Sequence, residues 1–288
     1  NEKVKIFFKK LLPSIFASGV TQINILVGTI IASFQASAVS YLYYADRVYQ
    51  INLAIAGIAI GTVILPQLSK LIQNRSLSEI DLLQNKALEL SLFLSLPATI
   101  ALLVASNILI SALFGYGSFS ELSVENSAKA LFYFSFGLPA FSLIKVFSSF
   151  FFARQDTKTP FYISSISVII NILISIIYFK EVGFIIIPIA TSISSWFNAI
   201  ILYLFLKRKK YFNFNITFLN KIWRIIFSSV IMGIVFYFIL DQFSEKLVYE
   251  ENLKFIYLLI TILITLISYI IVSLFTKAFK LSDIKLRY

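Results

Sequence analysis

The chain has 288 residues, of which 59% are hydrophobic, 16% aromatic and only 14% charged, whereas soluble domains carry roughly a quarter charged residues. That composition reads as an all-α integral membrane protein. The absence of cysteine and histidine excludes disulfides, thiolate nucleophiles, imidazole bases and the usual zinc ligands, and the net charge of +11 does not point to nucleic acid, because the bases fall in short connections between apolar runs.

Apolar windows of spanning length predict about eight transmembrane helices, at approximately 11–34, 41–72, 87–114, 127–152, 161–179, 183–206, 222–240 and 254–276. The first window has a polar face of Ser14, Ser18, Thr21 and Gln22 continuing through Ile25 and Gly28, a spacing that turns these residues toward protein or water. Ordinary hydrogen bonding between helices would produce the same pattern.

The second window opens with an adjacent acid and base, Asp46-Arg47, among Tyr41, Tyr43, Tyr44 and Tyr49. Two readings stand at this point. The charges rest among lipid headgroups within an aromatic belt, or they face a polar cavity, since an isolated charge inside a membrane helix costs at least ~2.5 kcal/mol. Further along, Gly57 and Gly61 form a GxxxG pair that predicts close helix packing. The third window begins amphipathically near Ser78, with Glu79, Asp81 and Glu89 on its early turns. Pro13, Pro97, Pro139 and Pro188 lie within or at the start of spans, where the carbonyls they free permit bending.

The final two windows are dominated by Ile, Phe, Leu, Val and Tyr and enclose an acidic connection from Asp241 to Glu251. They predict either a lipid-facing appendage or a wall for a lipid tail. Most of the 25 bases fall in alternate connections, including Lys207 to Lys210 and Lys277 to Arg287. The positive-inside rule therefore predicts a multi-pass protein with both termini cytoplasmic. Asp46-Arg47 then lies in the outer half of the second helix, and Lys145 falls within the fourth. No phosphate-binding GxxxxGK[ST] loop is present, which argues against ATP hydrolysis by this chain.

The strings LYYADRVYQINLAIAGIAIGTVILPQLSK, QINILVGTIIASF and GLPAFSLIKVFSSFFFARQDTKTPF resemble segments of the MurJ (MviN) family of bacterial lipid II flippases, in the multidrug/oligosaccharidyl-lipid/polysaccharide exporter superfamily. The resemblance is most specific over residues 11–72 and 137–206. Members of that family carry two six-helix lobes around a central cavity and two further helices that form a lipid groove. The resemblance therefore implies a six-helix C-terminal lobe over 1–210 and a two-helix element with a basic tail over 211–288, without the N-terminal lobe. It also implies movement of lipid II from the inner to the outer leaflet of the bacterial cytoplasmic (inner) membrane by alternating access, with lipid II, membrane lipids and an N-terminal lobe, in cis or as a separate chain, as partners.

Arg47 matches the family's cavity arginine, with Asp46 as a counter-ion, and a guanidinium fork suits pyrophosphate oxygens. Lys145 is a second substrate-binding candidate, and Arg154, Asp156 and Lys158 of ARQDTKTP form a gating or structural element at the cytoplasmic turn. Asn171 and Thr191 align with sodium ligands of some relatives, but Gly28 and Ser175 stand where carboxylates are expected. A hard cation stripped of both binds poorly, so neither a cofactor nor sodium coupling is expected, and membrane potential or proton coupling remains open. Competing readings are a flippase for another polyprenyl-linked glycan, a membrane enzyme acting on polyprenyl phosphates, and a non-catalytic membrane scaffold. The enzyme reading lacks a DxD cluster or a histidine.

Overall fold

The computed structural model describes residues 22–55, 59–74 and 76–279. Within them all regular structure is helical: α1 (Gln22–Ala32), α2 (Ala38–Leu53), α3 (Ala59–Gln73), α4 (Leu77–Phe114), α5 (Glu121–Ser135), α6 (Leu138–Phe152), α7 (Lys158–Val182), α8 (Ile186–Arg208), α9 (Ile216–Gln242) and α10 (Lys254–Phe275). Ser14, Ser18, Thr21, Gly57 and the basic tail beyond residue 279 lie outside the described residues.

One expected single span is broken. The window at 41–72 is described as α2 and α3, with a π-type turn at Ala54 and Ile55 after α2. The window at 127–152 divides into α5 and α6, bent by 45° at Phe136-Gly137. Pro139 has no N–H to continue the ladder, and two carbonyls at the break are taken up by side chains of α8. Ser192 Oγ donates to Tyr133 O at 2.6 Å, and Trp196 Nε1 donates to Phe136 O at 2.9 Å. A Cβ at Gly137 would lie 3.1 Å from Ser192 Oγ, so glycine permits this close approach.

Helix α4 begins at Leu77, one residue from the amphipathic start expected near Ser78, and its first turns bury Gln84 and Asn85 beside charged neighbours. It bends at Ala105, where φ is −118° and ψ is 18°, not at Pro97. Pro97 frees the carbonyl of Phe93, four residues earlier, and Tyr269 of α10 donates its hydroxyl to that oxygen at 2.7 Å.

Helices α7 and α8 form an antiparallel hairpin. Their continuous apolar stretch, Lys158–Arg208, folds back at Gly183, which has φ +72° and so favours glycine. Asn171 bonds Thr191 and Asn198 bonds Ser164 across the two legs. Gln35, between α1 and α2, closes the turn by accepting from Phe184 N at 2.8 Å.

Leu77–Phe114, Ile216–Gln242 and Lys254–Phe275 are each long and apolar enough to cross a membrane, as is the bent α5–α6 pair. α4 is the central post: α3, α5, α6 and α9 pack against it, and α10 packs on α9. Buried serines such as Ser91, Ser95, Ser127 and Ser142 let the helices approach closely, as packing in lipid requires. One core joins Tyr49, Leu131, Phe134 and Phe236. A second, around Phe147, Phe150, Phe151 and Leu202, incorporates Phe212 and Phe218 and so roots the start of α9 in the bundle.

Candidate functional site

Helix α2 buries Leu42, Ala45, Val48 and Tyr49 against α5. Its opposite face, Ser40, Tyr43, Arg47 and Gln50, is exposed and repeats at the three- and four-residue spacing of one helix side. Three tyrosines of the expected aromatic belt pack into the protein instead. Tyr41 meets Phe184 at 5.6 Å, Tyr44 meets Phe114 and Phe119 at 4.8 and 4.7 Å, and Tyr49 lies between Phe134 and Phe141 at 5.6 and 5.8 Å. Tyr43 alone stays exposed, with the Arg47 guanidinium 4.6 Å above its ring centroid.

Asp46 and Arg47 do not form an ion pair. The Asp46 carboxylate accepts from Gln50 Nε2, one turn on, and the described ion pairs lie elsewhere, at Lys129–Glu125, Lys209–Asp156 and Lys221–Glu89. Lys145 is exposed on α6, one turn or about 6 Å beyond the Phe141 that contacts Tyr49 on α2. Its backbone forms a close seam with α3, where a Cβ at Gly61 would sit 3.5 Å from Lys145 O. The structure thus places Arg47 and Lys145 on exposed faces of neighbouring helices, with no ion pair at either among the described residues, and an exposed guanidinium can bond an anion.

Arg154, Asp156 and Lys158 separate. Arg154 donates to Phe150 O and Tyr211 O at 2.9 and 2.8 Å and stacks on the Tyr211 ring at 4.6 Å. Asp156 accepts from Thr159 N and Thr159 Oγ1 at 3.1 and 2.8 Å and pairs with Lys209 Nζ at 2.5 Å. Burial pushes the Asp156 carboxyl up, but the bonds from Lys209 and Thr159 and the lysine charge outweigh it and hold the group below its ordinary value. Together Arg154 and Asp156 clasp the α6–α7 turn to the end of α8 and the segment after it. Lys158 is exposed at the start of α7 and takes no part in the clasp.

Asn171 and Thr191 do come together, in a neutral cluster. Asn171 Nδ2 donates to Thr191 Oγ1 at 3.0 Å and to Ser194 Oγ at 3.4 Å, and Ser175 Oγ donates to Asn171 Oδ1 at 3.3 Å. Thr191 in turn donates to Ile187 O at 2.8 Å, and a Cβ at Gly28 would lie 3.7 Å from the Ile187 side chain. All four expected positions are therefore neighbours, and none bears a charge. The hydroxyl oxygens receive an amide donor, and the donor set does not fit a hard cation.

Two features were not singled out by sequence reasoning. Gln50 could have been found from its i+4 spacing to Asp46. Lys254, expected only as a loop base, is 1% exposed and donates to Gly115 O and Tyr249 O at 2.8 and 2.5 Å. It therefore caps the carboxyl end of α4, where a cation is favoured. Beside α4, an apolar groove of about 460 Å³ runs along α9, lined by Ile100, Val104, Val230, Gly233, Ile234 and Tyr237 among others.

A helical bundle with several helices long and apolar enough to cross a membrane, and with Arg47 and Lys145 exposed on α2 and α6, defines a polytopic membrane protein. The solved structure described as lipid II flippase MurJ, inward closed conformation, matches with a TM-score of 0.76 at 28% identity, covering 96% of this chain and 55% of that one. The straight conformation of MATE matches at TM-score 0.57 and 18% identity, which shows a shared fold. A family model described as lipid II flippase MurJ matches residues 1–258, and the chain belongs to that family. The probable lipid II flippase MurJ of Rhizobium meliloti (strain 1021) is 40% identical over 244 residues, 85% of this chain and 46% of the relative. That of Rickettsia prowazekii (strain Madrid E) is 38% identical over 199 residues, 68% and 39% respectively. The chain spans about half the length of the curated relatives it matches.

Proposed function

We propose that this chain supplies the C-terminal lobe and lipid-groove element of a flippase that moves lipid II from the inner to the outer leaflet of the bacterial cytoplasmic membrane by alternating access. Residues 1–210 form the lobe and residues 211–288 the groove element, with both termini cytoplasmic. A six-helix N-terminal lobe, in the same polypeptide or a separate chain, closes the cavity. The observation that carries this reading is Arg47, a guanidinium exposed on α2 and unpaired with the acid beside it. A pyrophosphate needs such a fork where water is excluded. Lys145 adds a second positive charge, and the apolar groove between α4 and α9 suits a polyprenyl tail. The family's transporters bind and move the lipid without chemical change, so the chain is read as a transporter and not as an enzyme.

The test is outward exposure of lipid II in bacterial cells depleted of their own flippase. The cells receive this chain alone, this chain with an N-terminal lobe, or that pair carrying Arg47→Ala. Rescue by the pair, lost with Arg47→Ala, is expected. A well-inserted pair that exposes a different polyprenyl-linked glycan and no lipid II would overturn the substrate, and rescue undiminished by Arg47→Ala would overturn the site.

A further inference from the structure

We infer that Gln50 and Tyr43 are positioning residues that keep Arg47 available to an anionic substrate headgroup, Gln50 by engaging the Asp46 carboxylate and Tyr43 by holding the guanidinium plane. The inference rests on the proposed role of Arg47 in binding pyrophosphate. An acid and an arginine at adjacent helix positions point to different sides, but their long side chains can swing together where a low dielectric leaves the charges poorly screened. An arginine closed into such a pair has few free donors for a ligand. On α2 the pairing is instead interlaced by one helical turn in each direction. Asp46 joins Gln50 at i+4, and Arg47 joins Tyr43 at i−4, the spacing at which helix side chains meet.

The consequence is a division of labour among four side chains of one helix region. Gln50 is neutral, so its amide satisfies the carboxylate without bringing a further cation to compete for the substrate. The Tyr43 ring supports the guanidinium face through its π-electrons and leaves the in-plane N–H groups, which form bidentate bonds to phosphate oxygens, directed past the ring. Tyr43, Arg47 and Gln50 are all exposed, and Asp46 is the member tucked partly inward. The acid is therefore set back while the base is presented.

The experiment is a double-mutant cycle in the lipid II exposure assay, using this chain with an N-terminal lobe and normalising to membrane-inserted protein. Gln50→Leu, which keeps bulk and removes the donor, is expected to lower exposure several-fold by releasing Asp46 onto Arg47. Introduced into an Asp46→Asn background, Gln50→Leu should have no further effect, because no carboxylate remains to be diverted. Tyr43→Leu should lower exposure more than Tyr43→Phe, which keeps the ring. Wild-type exposure in Gln50→Leu, or an equal loss in the Asp46→Asn background, would overturn the inference. Arg47→Ala without effect would instead overturn the reading on which it rests, so the two failures are separable.

Discussion

Arg47 and Lys145 offer the same charge in different chemical forms. The guanidinium has a rigid set of donors and a flat face, and the structure uses that face against Tyr43. The Lys145 ammonium is a point charge on a flexible stem, exposed on α6. Arg47→Lys should therefore preserve the charge while losing both the fork and the stacking. We expect the rate of lipid II exposure to fall about tenfold, the equivalent of about 1.4 kcal/mol, in the complete assembly. Lys145→Arg should be tolerated far better, since nothing in the surroundings of Lys145 depends on ammonium geometry. Equal losses at the two positions would mean that Arg47 acts through charge alone. Arg47 stands out in the sequence as an unusual residue in apolar surroundings, but the absence of an ion pair with Asp46 was not legible there. That absence depends on rotamers chosen by Gln50 and Tyr43, which residue identity does not settle.

At the scale of the helix, the breaks are sites where one element completes the hydrogen bonding of another. Pro97 leaves Phe93 O without its helical donor, and Tyr269 of α10 supplies one at 2.7 Å. In lipid an orphaned carbonyl has no water to turn to, so Tyr269→Phe should destabilise the folded protein by about 1–3 kcal/mol. A lowered thermal midpoint of the detergent-solubilised protein is the expected reading, with α-helical content unchanged below the transition. No shift would mean that Phe93 O finds another donor. Hydropathy located most helices because an apolar window of spanning length is a strong signal, but it ran α5 into α6. The missing information was remote: the carbonyls freed near Gly137 are taken up by Ser192 and Trp196, about sixty positions further along the chain. The amphipathic start of α4 near Ser78 was legible from its pattern, whereas the bonds of Asn85 to Asn213 O and Asn215 N, at 3.3 and 3.2 Å, were not, because those partners lie 128 and 130 positions on.

The proposed flippase must draw energy from somewhere to move a charged headgroup in one direction, and the α7–α8 hairpin bears on the source. Asn171, Ser175 and Thr191 share one hydrogen-bonded cluster, with Gly28 packed on Ile187 beside it. What the structure adds is the use to which their oxygens are put. The Asn171 amide donates to Thr191 and Ser194, in the role that a cation would fill, and no carboxylate is present to offset the cost of stripping water from an ion. We therefore expect lipid II exposure by the complete assembly to be unchanged when sodium is replaced by potassium or choline at constant membrane potential. Dissipating that potential, with the pH gradient held, should slow exposure if voltage is the source; dissipating the pH gradient alone should slow it if protons are. The same argument predicts a gain. A Cβ at Gly28 meets only the Ile187 side chain, at an ordinary 3.7 Å, so Gly28→Asp has room at its Cβ, and combined with Ser175→Asp at the buried Ser175 it would supply the two absent charges. Sodium, but not potassium, should then raise the thermal midpoint of the purified variant and leave the parent protein unmoved. A sodium requirement in the parent would show that neutral oxygens suffice and that the Asn171 network opens to admit the ion.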